Sequence, residues 1–435
     1  MQYIPNIIFL LVLLAGIGYF SFNIRKVIRN IKLGIPVSVS NKGERLANVG
    51  RIAIGQSKMV VRPVSGAMHI VVYLGFIIIN IEVLEIIIDG LFGTHRIFST
   101  FLGSFYGVLL GTFEILAVLV FAAVVVFWIR RNVIKLKRFM SKEMTGWPKN
   151  DGNFILYFEM VLMGLFLVMN ATDVPFQQID SGNIVSQHIA SWFSGTSEGT
   201  LHIIERTAWW IHIVGILIFL NYLYFSKHLH IMLAFPNVYF GRVTPQGHFK
   251  NNKAVTKEVM MMMDPNVDPF AAPPEEEAEE TPAKFGASDV MDLTQIQLLN
   301  AYTCTECGRC TSECPANITG KKLSPRKIMM DTRDRLEEVG KNIDANKGVF
   351  VPDGKQLLGD YITNEELWAC TSCNACVEAC PVSIDPLSII MEMRQYLVME
   401  QSAAPNELNG TMTNIENNGA PWPFNQQDRL NWAKE

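Results

Sequence analysis

Charge is scarce in this chain: 18% of its 435 residues are Asp, Glu, Lys or Arg, 49% are hydrophobic, and mean hydropathy is +0.20. Soluble proteins carry nearer a quarter of their residues charged, so a purely soluble chain is excluded. A basic excess is missing too, and the net charge of −4 removes nucleic acid as a partner. No cysteine precedes Cys304 or follows Cys380, so a disulfide framework spread over a small fold is excluded. No G-x-G-x-x-G follows a strand pattern, and no nucleophile–base pair stands out. A substrate-oxidising hydride site therefore has no home here.

What is present is apolar length. Five segments, roughly 4–22, 67–90, 104–129, 153–170 and 203–233, are long enough to cross a bilayer, which takes about 20 residues as helix. The first is not a cleaved leader: basic residues follow it (Arg25, Lys26, Arg29, Lys32) rather than precede it, and it lacks a convincing cleavage site. The β-branched runs Ile77 to Ile79 and Ile86 to Ile88 are ambiguous in water, but a lone strand cannot satisfy its backbone in lipid, so helix is expected. Loop charge alternates. Residues 23–66 hold nine Lys or Arg and 130–152 hold seven, whereas 91–103 hold only Arg96 and 171–202 hold none. The positive-inside rule then places the N-terminus outside and everything after the fifth span in the cytoplasm. For a bacterial chain the expected location is the inner membrane.

Composition changes after the spans. Residues 1–240 read as the membrane domain. Residues 241–290 read as a flexible linker, acidic and proline-rich through Pro273, Pro274 and Glu275 to Glu277. Residues 291–402 form a soluble domain, with helices expected at Asp292 to Tyr302, Pro325 to Val339 (capped by Ser324), Glu365 to Ala369 and Leu387 to Glu400. Residues 403–435, rich in asparagine, read as an extended tail that docks to a partner.

The eight cysteines form two matching runs, Cys304-x2-Cys307-x2-Cys310-x3-Cys314-Pro315 and Cys370-x2-Cys373-x2-Cys376-x3-Cys380-Pro381. This is the spacing of two-cluster bacterial ferredoxins, in which the fourth cysteine of each run ligates the other cluster. Cluster one is assigned Cys304, Cys307, Cys310 and Cys380, and cluster two Cys370, Cys373, Cys376 and Cys314. Paired zinc sites are the competing reading, and two complete repeats with trailing prolines weigh against them. Thr305, Thr311, Thr371 and Ser372 are the expected hydrogen-bond donors to cluster sulfur.

Among the histidines, His95, His188 and His248 fall in loops and His202 near the outer start of the fifth span. His69 lies one turn into the second span. His212 and His230 lie 18 residues apart, five turns of one helix, and so share a face. Spans two and five are antiparallel, which brings His69 and His230 to the same cytoplasmic depth. Paired imidazoles facing a bundle interior are heme ligands, and this pair is the expected heme b site. His228 lies on the opposite face and ranks second; contact of these histidines with lipid headgroups is the competing reading. For His212, a second heme and a quinone contact both stay open, because no histidine lies opposite it: ten residues after His69 stands Ile79.

The membrane half resembles the gamma subunit of respiratory nitrate reductase, a five-span cytochrome b. That family's helix-five histidines match His212 and His230. Of its two helix-two histidines, the first matches His69 and the second falls on Ile79. The soluble half is similar to heterodisulfide reductase-like iron–sulfur oxidoreductases at Phe285-Gly286, Cys304 to Pro315, Thr319 to Pro325, Glu366 to Cys370 and Cys380 to Leu397. Both halves in one chain resemble the electron-transfer-flavoprotein:menaquinone oxidoreductase type. The resemblance implies an all-α membrane protein: a five-helix transmembrane cytochrome b-like bundle joined to a cytoplasmic α-helical two-cluster ferredoxin domain. It also implies an electron-transfer subunit with two [4Fe–4S] clusters, heme b and menaquinone. Relatives carry a cysteine-rich CCG domain, and no adjacent cysteine pair exists here, so a separate CCG subunit is expected, with an electron-transfer flavoprotein as donor. Three alternatives stay open. One is menaquinol oxidation feeding a heterodisulfide reductase-like or sulfur-reducing partner. Another is a scaffold with structural clusters. The third is an ion-pumping subunit using Glu82, Glu85, Glu114 or Glu159.

Overall fold

The computed structural model describes residues 3–178, 181–249, 251–265 and 284–434. Five helices are long and apolar enough to cross a membrane: α1 (Ile4–Lys32), α2 (Pro63–Phe92), α3 (Ser104–Trp128, continued by a π-helical turn to Val133), α4 (Trp147–Thr172) and α5 (Glu198–Tyr222). Their ends follow from local chemistry. Pro63 starts α2, where a missing N–H costs nothing. Gly93, at φ 72°, closes α2 by accepting a left-handed turn that a side chain would resist. Ser197 caps α5 by accepting from the Thr200 amide at 3.3 Å.

The helices pack α1–α5–α4–α3–α2, with α1 also touching α2. The bundle core holds Phe9, Ile79, Phe113, Phe166, Trp209 and Ile213. Small residues set the closest approach: a Cβ on Gly75 would stand 2.4 Å from Val120 of α3. Leu10, Leu11, Leu14, Phe76, Leu84, Val118 and Leu119 point outward, the surface that lipid would cover.

The fifth span is shorter than its apolar run suggests. After Tyr222 the chain makes a 3-10 turn (Leu223–Phe225), extends at Ser226 (φ −113°, ψ 147°), makes a second turn (Lys227–Leu229) and enters α6 (His230–Phe240). Asp151 of α4 explains the break. Its carboxylate accepts from the Lys227 amide at 3.1 Å and from the Tyr222 hydroxyl at 2.7 Å, replacing the helical bond the amide gives up. His212 and His230 therefore do not lie on one continuous helix.

The soluble part has a helical core: α8 (Gln295–Thr303), α9 (Arg309–Glu313), α10 (Pro325–Ala345), α11 (Asn364–Trp368), α12 (Ala375–Ala379) and α13 (Pro386–Met399). Capping boxes at Thr294–Gln297 and Thr363–Glu366 fix the starts of α8 and α11. Ser324 caps α10, whose buried face is Ile328, Met329, Leu336, Val339 and Ile343. Among the described residues no strand forms; two isolated bridges, Ile35 with Thr294 and Leu358 with Ile362, are the extended pairings.

Two expected boundaries look different in the structure. Part of the expected linker is the helix α7 (Lys253–Met263), residues 266–283 of it lie outside the described residues, and Ala287 and Val290 at its end are fully buried in the ferredoxin core. The tail is helical rather than extended, with α14 (Asn406–Asn418) and a 3-10 stretch (Gln426–Ala433). Leu408, Met412 and Ile415 share one exposed face of α14 at helical spacing, so an apolar stripe is left without a partner among the described residues.

The ferredoxin part is seated on the bundle by buried polar contacts. Arg326, wholly buried, donates to the Arg138 carbonyl (2.6 Å), the Ser141 hydroxyl (2.9 Å) and the Glu143 carboxylate (2.7 Å) of the loop after α3. Glu306 pairs with both Lys227 and Arg333. Asn30 of α1 donates to the Tyr302 hydroxyl at 2.9 Å. Removing one partner of a buried pair leaves an uncompensated charge and costs about 3–5 kcal/mol. Arg326→Ala should therefore loosen the seat, measured as faster proteolytic release of the region 291–402 from membranes; wild-type release rates would contradict the assignment.

Candidate metal centre

The two cysteine runs fold alike. Cys304 ends α8, Cys310 lies inside α9, and Cys314 returns to extended backbone before Pro315. In the second run Cys370 follows α11, Cys376 lies inside α12, and Cys380 is extended before Pro381. The residues flanking the second cysteine of each run are left-handed: Glu306 (φ 54°) and Gly308 (φ 70°), Ser372 (φ 56°) and Asn374 (φ 60°). Asparagine tolerates that conformation better than most residues. Gly308 is required for a further reason: a Cβ there would lie 2.5 Å from the Arg326 guanidinium.

All eight cysteines are free of disulfides. Cys304, Cys307, Cys310 and Cys380 line one cavity, which Cys376 also lines. Cys370, Cys373, Cys376 and Cys314 are electrostatic neighbours of one another. The fourth cysteine of each run thus sits with the first three of the other run. Among the described residues no three metal-ligating side chains converge as they would around a single ion. A thiolate set spaced around a cavity fits a cluster, whose corners lie apart, better than one zinc. Burial pushes the Cys304 thiol up to about 12 and Cys380 up to about 11, against opposing amide hydrogen bonds. Iron ligation would displace those protons, because the thiolate is the ligand.

Backbone amides donate to the cysteine sulfurs. Ser372 N–H donates to Cys370 Sγ at 3.4 Å and Ile384 N–H to Cys380 Sγ at 3.3 Å. Thr311 turns away, its hydroxyl paired with Ser324 at 2.9 Å. Left-handed turns, which aim amides inward, were not readable from residue type alone.

The two sets differ in surroundings. Cys373 is exposed to solvent. The first set faces the bundle: Cys307 feels the charges of Arg138 and Arg309, and Cys380 that of Lys58. Arg309, on the wall of the cavity, donates to the carbonyls of Lys58 (3.1 Å) and Met59 (3.3 Å) just before α2. Arg62, beside it, pairs with Glu313 at 2.8 Å.

His69, His228 and His230 meet below that contact. The rings of His228 and His230 are 5.3 Å apart and perpendicular, and both histidines act on each other or on His69 electrostatically. The break at Ser226 brings His228 to the same side as His230, where an unbroken helix would have placed them on opposite faces. His230 Nδ1 lies 3.2 Å from the Lys227 carbonyl, which leaves Nε2 free to ligate. Burial pushes His230 down to about 4, against the Lys227 bond, so it is neutral. His69 Nδ1 is buried without a partner. In donor type, these imidazoles would suit heme ligation. His228 Nε2 instead faces Glu159 at 3.7 Å. His212 is buried on α5, 6.3 Å from the Phe166 ring, and no second histidine stands near it among the described residues.

A 4Fe-4S dicluster domain matches residues 303–384. The chain is similar to the probable iron-sulfur-binding oxidoreductase FadF of Bacillus subtilis, 30% identical over 99% of this chain and 61% of that protein. It is 27% identical to the EtfAB:quinone oxidoreductase of Syntrophomonas wolfei, over 88% of this chain and 53% of that protein. A probable membrane-anchored ferredoxin of Chromohalobacter salexigens is 31% identical over 36% of this chain. The chain therefore spans between half and two thirds of the first two relatives. No solved structure matches it. The similarity makes this an iron–sulfur protein related to membrane oxidoreductases. None of the three relatives is named for heme, so the histidine site rests on geometry.

Proposed function

Starting from that kinship, we propose that the chain is the electron-transfer subunit of a membrane complex. It carries electrons between a cytoplasmic donor, a CCG-domain subunit or electron-transfer flavoprotein, and menaquinone in the bundle. When bound, two [4Fe–4S] clusters and heme b supply one-electron redox chemistry; this chain's residues set their order. Cys314, Cys370, Cys373 and Cys376 form the solvent-side set, where Cys373 is exposed to an approaching partner. Cys304, Cys307, Cys310 and Cys380 form the membrane-side set. His69 and His230 hold the heme.

The observation that carries this reading is Arg309. One side chain lines the membrane-side cysteine cavity, donates to the backbone leading into α2, and reaches Ser65, one helical turn before His69, at 3.5 Å. A buried guanidinium there fixes the two redox sites against each other and holds positive charge beside the membrane-side thiolates. Positive charge favours the reduced cluster, which draws electrons from the solvent-side set toward the bundle. The apolar face of α14 supports a docked partner on the ferredoxin side.

The complex purified from its native membrane tests the reading. It should contain a CCG-domain or flavoprotein subunit by mass spectrometry and should exchange electrons with menadione. A chain that purifies alone, with clusters that neither quinol nor flavoprotein reduces, would favour a structural scaffold instead.

A further inference from the structure

The half of the bundle away from the ferredoxin domain is unusually polar. Glu82, Glu85 and Glu114 are each at most 3% exposed inside α2 and α3. Buried carboxyls in a membrane span are costly and need a reason. For two of the acids the reason is plain, and Asp89 nearby shares it. Asp89 accepts from the Arg96 (2.6 Å) and Ile97 (3.2 Å) amides, and Glu114 from the Val185 (2.7 Å) and Ser186 (3.0 Å) amides. They fasten two loops that fold back into the bundle. Glu85 accepts from the Phe98 amide (2.8 Å) and the Tyr106 hydroxyl (2.9 Å).

Glu82 has no such task. Its Oε2 is buried and has no partner, and the charged groups facing it are Arg96, Glu85 and Glu114. Arg96 is already engaged, donating to Asp173 (2.7 Å) and Asn170 (3.0 Å). Asp173 in turn meets the half-exposed His95 at 3.2 Å. Burial alone would raise Asp173, but the bonds and charges of His95 and Arg96 hold it well below the usual carboxylate range. Glu82 lies ten residues before the end of α2, about 15 Å deep at 1.5 Å per residue, or near mid-bilayer. Glu85 and Asp89 follow it at i+3 and i+7, on one face, each about one turn nearer the surface.

We propose that Glu82 is the acid that exchanges protons with the quinone, connected through Glu85 and Asp89 to the face opposite the ferredoxin domain. This rests on the quinone reading above. In the reducing direction, a quinone takes two electrons, one at a time, from the bundle's redox group and two protons. Each proton leaves the Glu82 carboxyl as an O–H bond forms on a quinone carbonyl oxygen, and the carboxylate is reprotonated along the ladder. Oxidation of the hydroquinone runs the same steps backward, releasing two electrons and two protons. Glu82 is catalytic in this scheme; Glu85 and Tyr106 position and relay.

The reverse direction gives the cleaner test. In the intact complex, reduction of protein iron is followed with menadiol and, separately, with dithionite, which needs no proton acceptor. Glu82→Gln should slow reduction by menadiol roughly a hundredfold, the range of a lost general acid–base group, with dithionite reduction unchanged. Glu82→Asp should restore most of the rate. The reduced-minus-oxidised infrared spectrum should lose a carboxyl band in Glu82→Gln. In vesicles with a trapped pH dye, wild-type protons should emerge on the side opposite the ferredoxin domain. Menadiol reduction of Glu82→Gln at the wild-type rate, or protons emerging on the ferredoxin side, overturns the proposal. Wild-type protein reduced by dithionite but never by menadiol overturns the quinone reading itself.

Discussion

Cys380→Ser should remove the cluster built on the first cysteine run and leave the one built on the second. Cys380 closes the second run in sequence, so a reading by proximity along the chain expects the opposite loss. The fold decides otherwise. Cys380 shares the cavity of Cys304, Cys307 and Cys310, while Cys314 neighbours Cys370 and Cys376. Iron should fall from about eight to about four atoms per chain, with one of two EPR-detected clusters gone. Cys314→Ser should cost the other cluster. The lost cluster is identified by its setting: the membrane-side one lies among Lys58, Arg62, Arg138 and Arg309, and the solvent-side one beside exposed Cys373. If Cys380→Ser loses the solvent-side cluster, crossed ligation is wrong. Serine is nearly isosteric with cysteine, so the change tests ligation more than packing.

His69→Ala should abolish the b-type absorbance band while about eight irons per chain remain in the clusters. His69 is the single histidine that α2 brings to His230, and no other described histidine besides His228 acts on that site. His230→Ala should behave the same way. His228→Ala should keep the band, because His228 faces Glu159 and Phe219 rather than completing the pair. Heme retained by His69→Ala at the wild-type ratio would exclude this site. Loss of heme in His228→Ala with retention in His230→Ala would transfer the ligand role to His228.

Much of this was legible in the residues, and the exceptions have physical causes. Apolar length and alternating loop charge marked the five spans, because a lipid-facing helix has little freedom in composition. The repeated cysteine spacing marked the dicluster domain, because ligand geometry dictates it. Ser324 and Pro325 marked α10, though not its extension to Ala345. The end of the fifth span was not legible. Residues 223 to 233 still carry Leu223, Phe225, Leu229, Ile231, Met232 and Leu233, and the helix stops because Asp151, distant in sequence, captures the Lys227 amide. That one tertiary contact invalidates the shared-face argument for His212 and His230, yet it is also what turns His230 toward His69. The amide donors to cysteine sulfur were hidden for a similar reason: a hydroxyl can be read from sequence, whereas an amide aimed by a left-handed turn cannot. Glu82 could be noticed as a charge in a span, but its lack of a partner emerged only when its neighbours proved to be occupied.

The ferredoxin part and the bundle share one hydrophobic core, since Val27, Leu223 and Leu229 pack with Leu298, Leu336 and Ile390. Such a seat holds the cysteine sets at a fixed place relative to the histidines, as the proposed electron transfer between them requires. Among the described residues, the tail contributes nothing to that core apart from partial packing of Ala403, and its aromatic residues Trp422, Phe424 and Trp432 stand exposed. They are the surface on which loss of the proposed partner subunit should first be felt.

A redox titration of the anaerobically purified complex, read by EPR and visible absorbance on one sample, tests the whole arrangement. Two distinct cubane signals and a b-type band, with about eight non-heme irons per chain, are expected, the membrane-side cluster titrating above the solvent-side one. Iron far below that ratio, or reduced protein with no b-type band, would contradict an electron path from paired cysteine sets to His69 and His230.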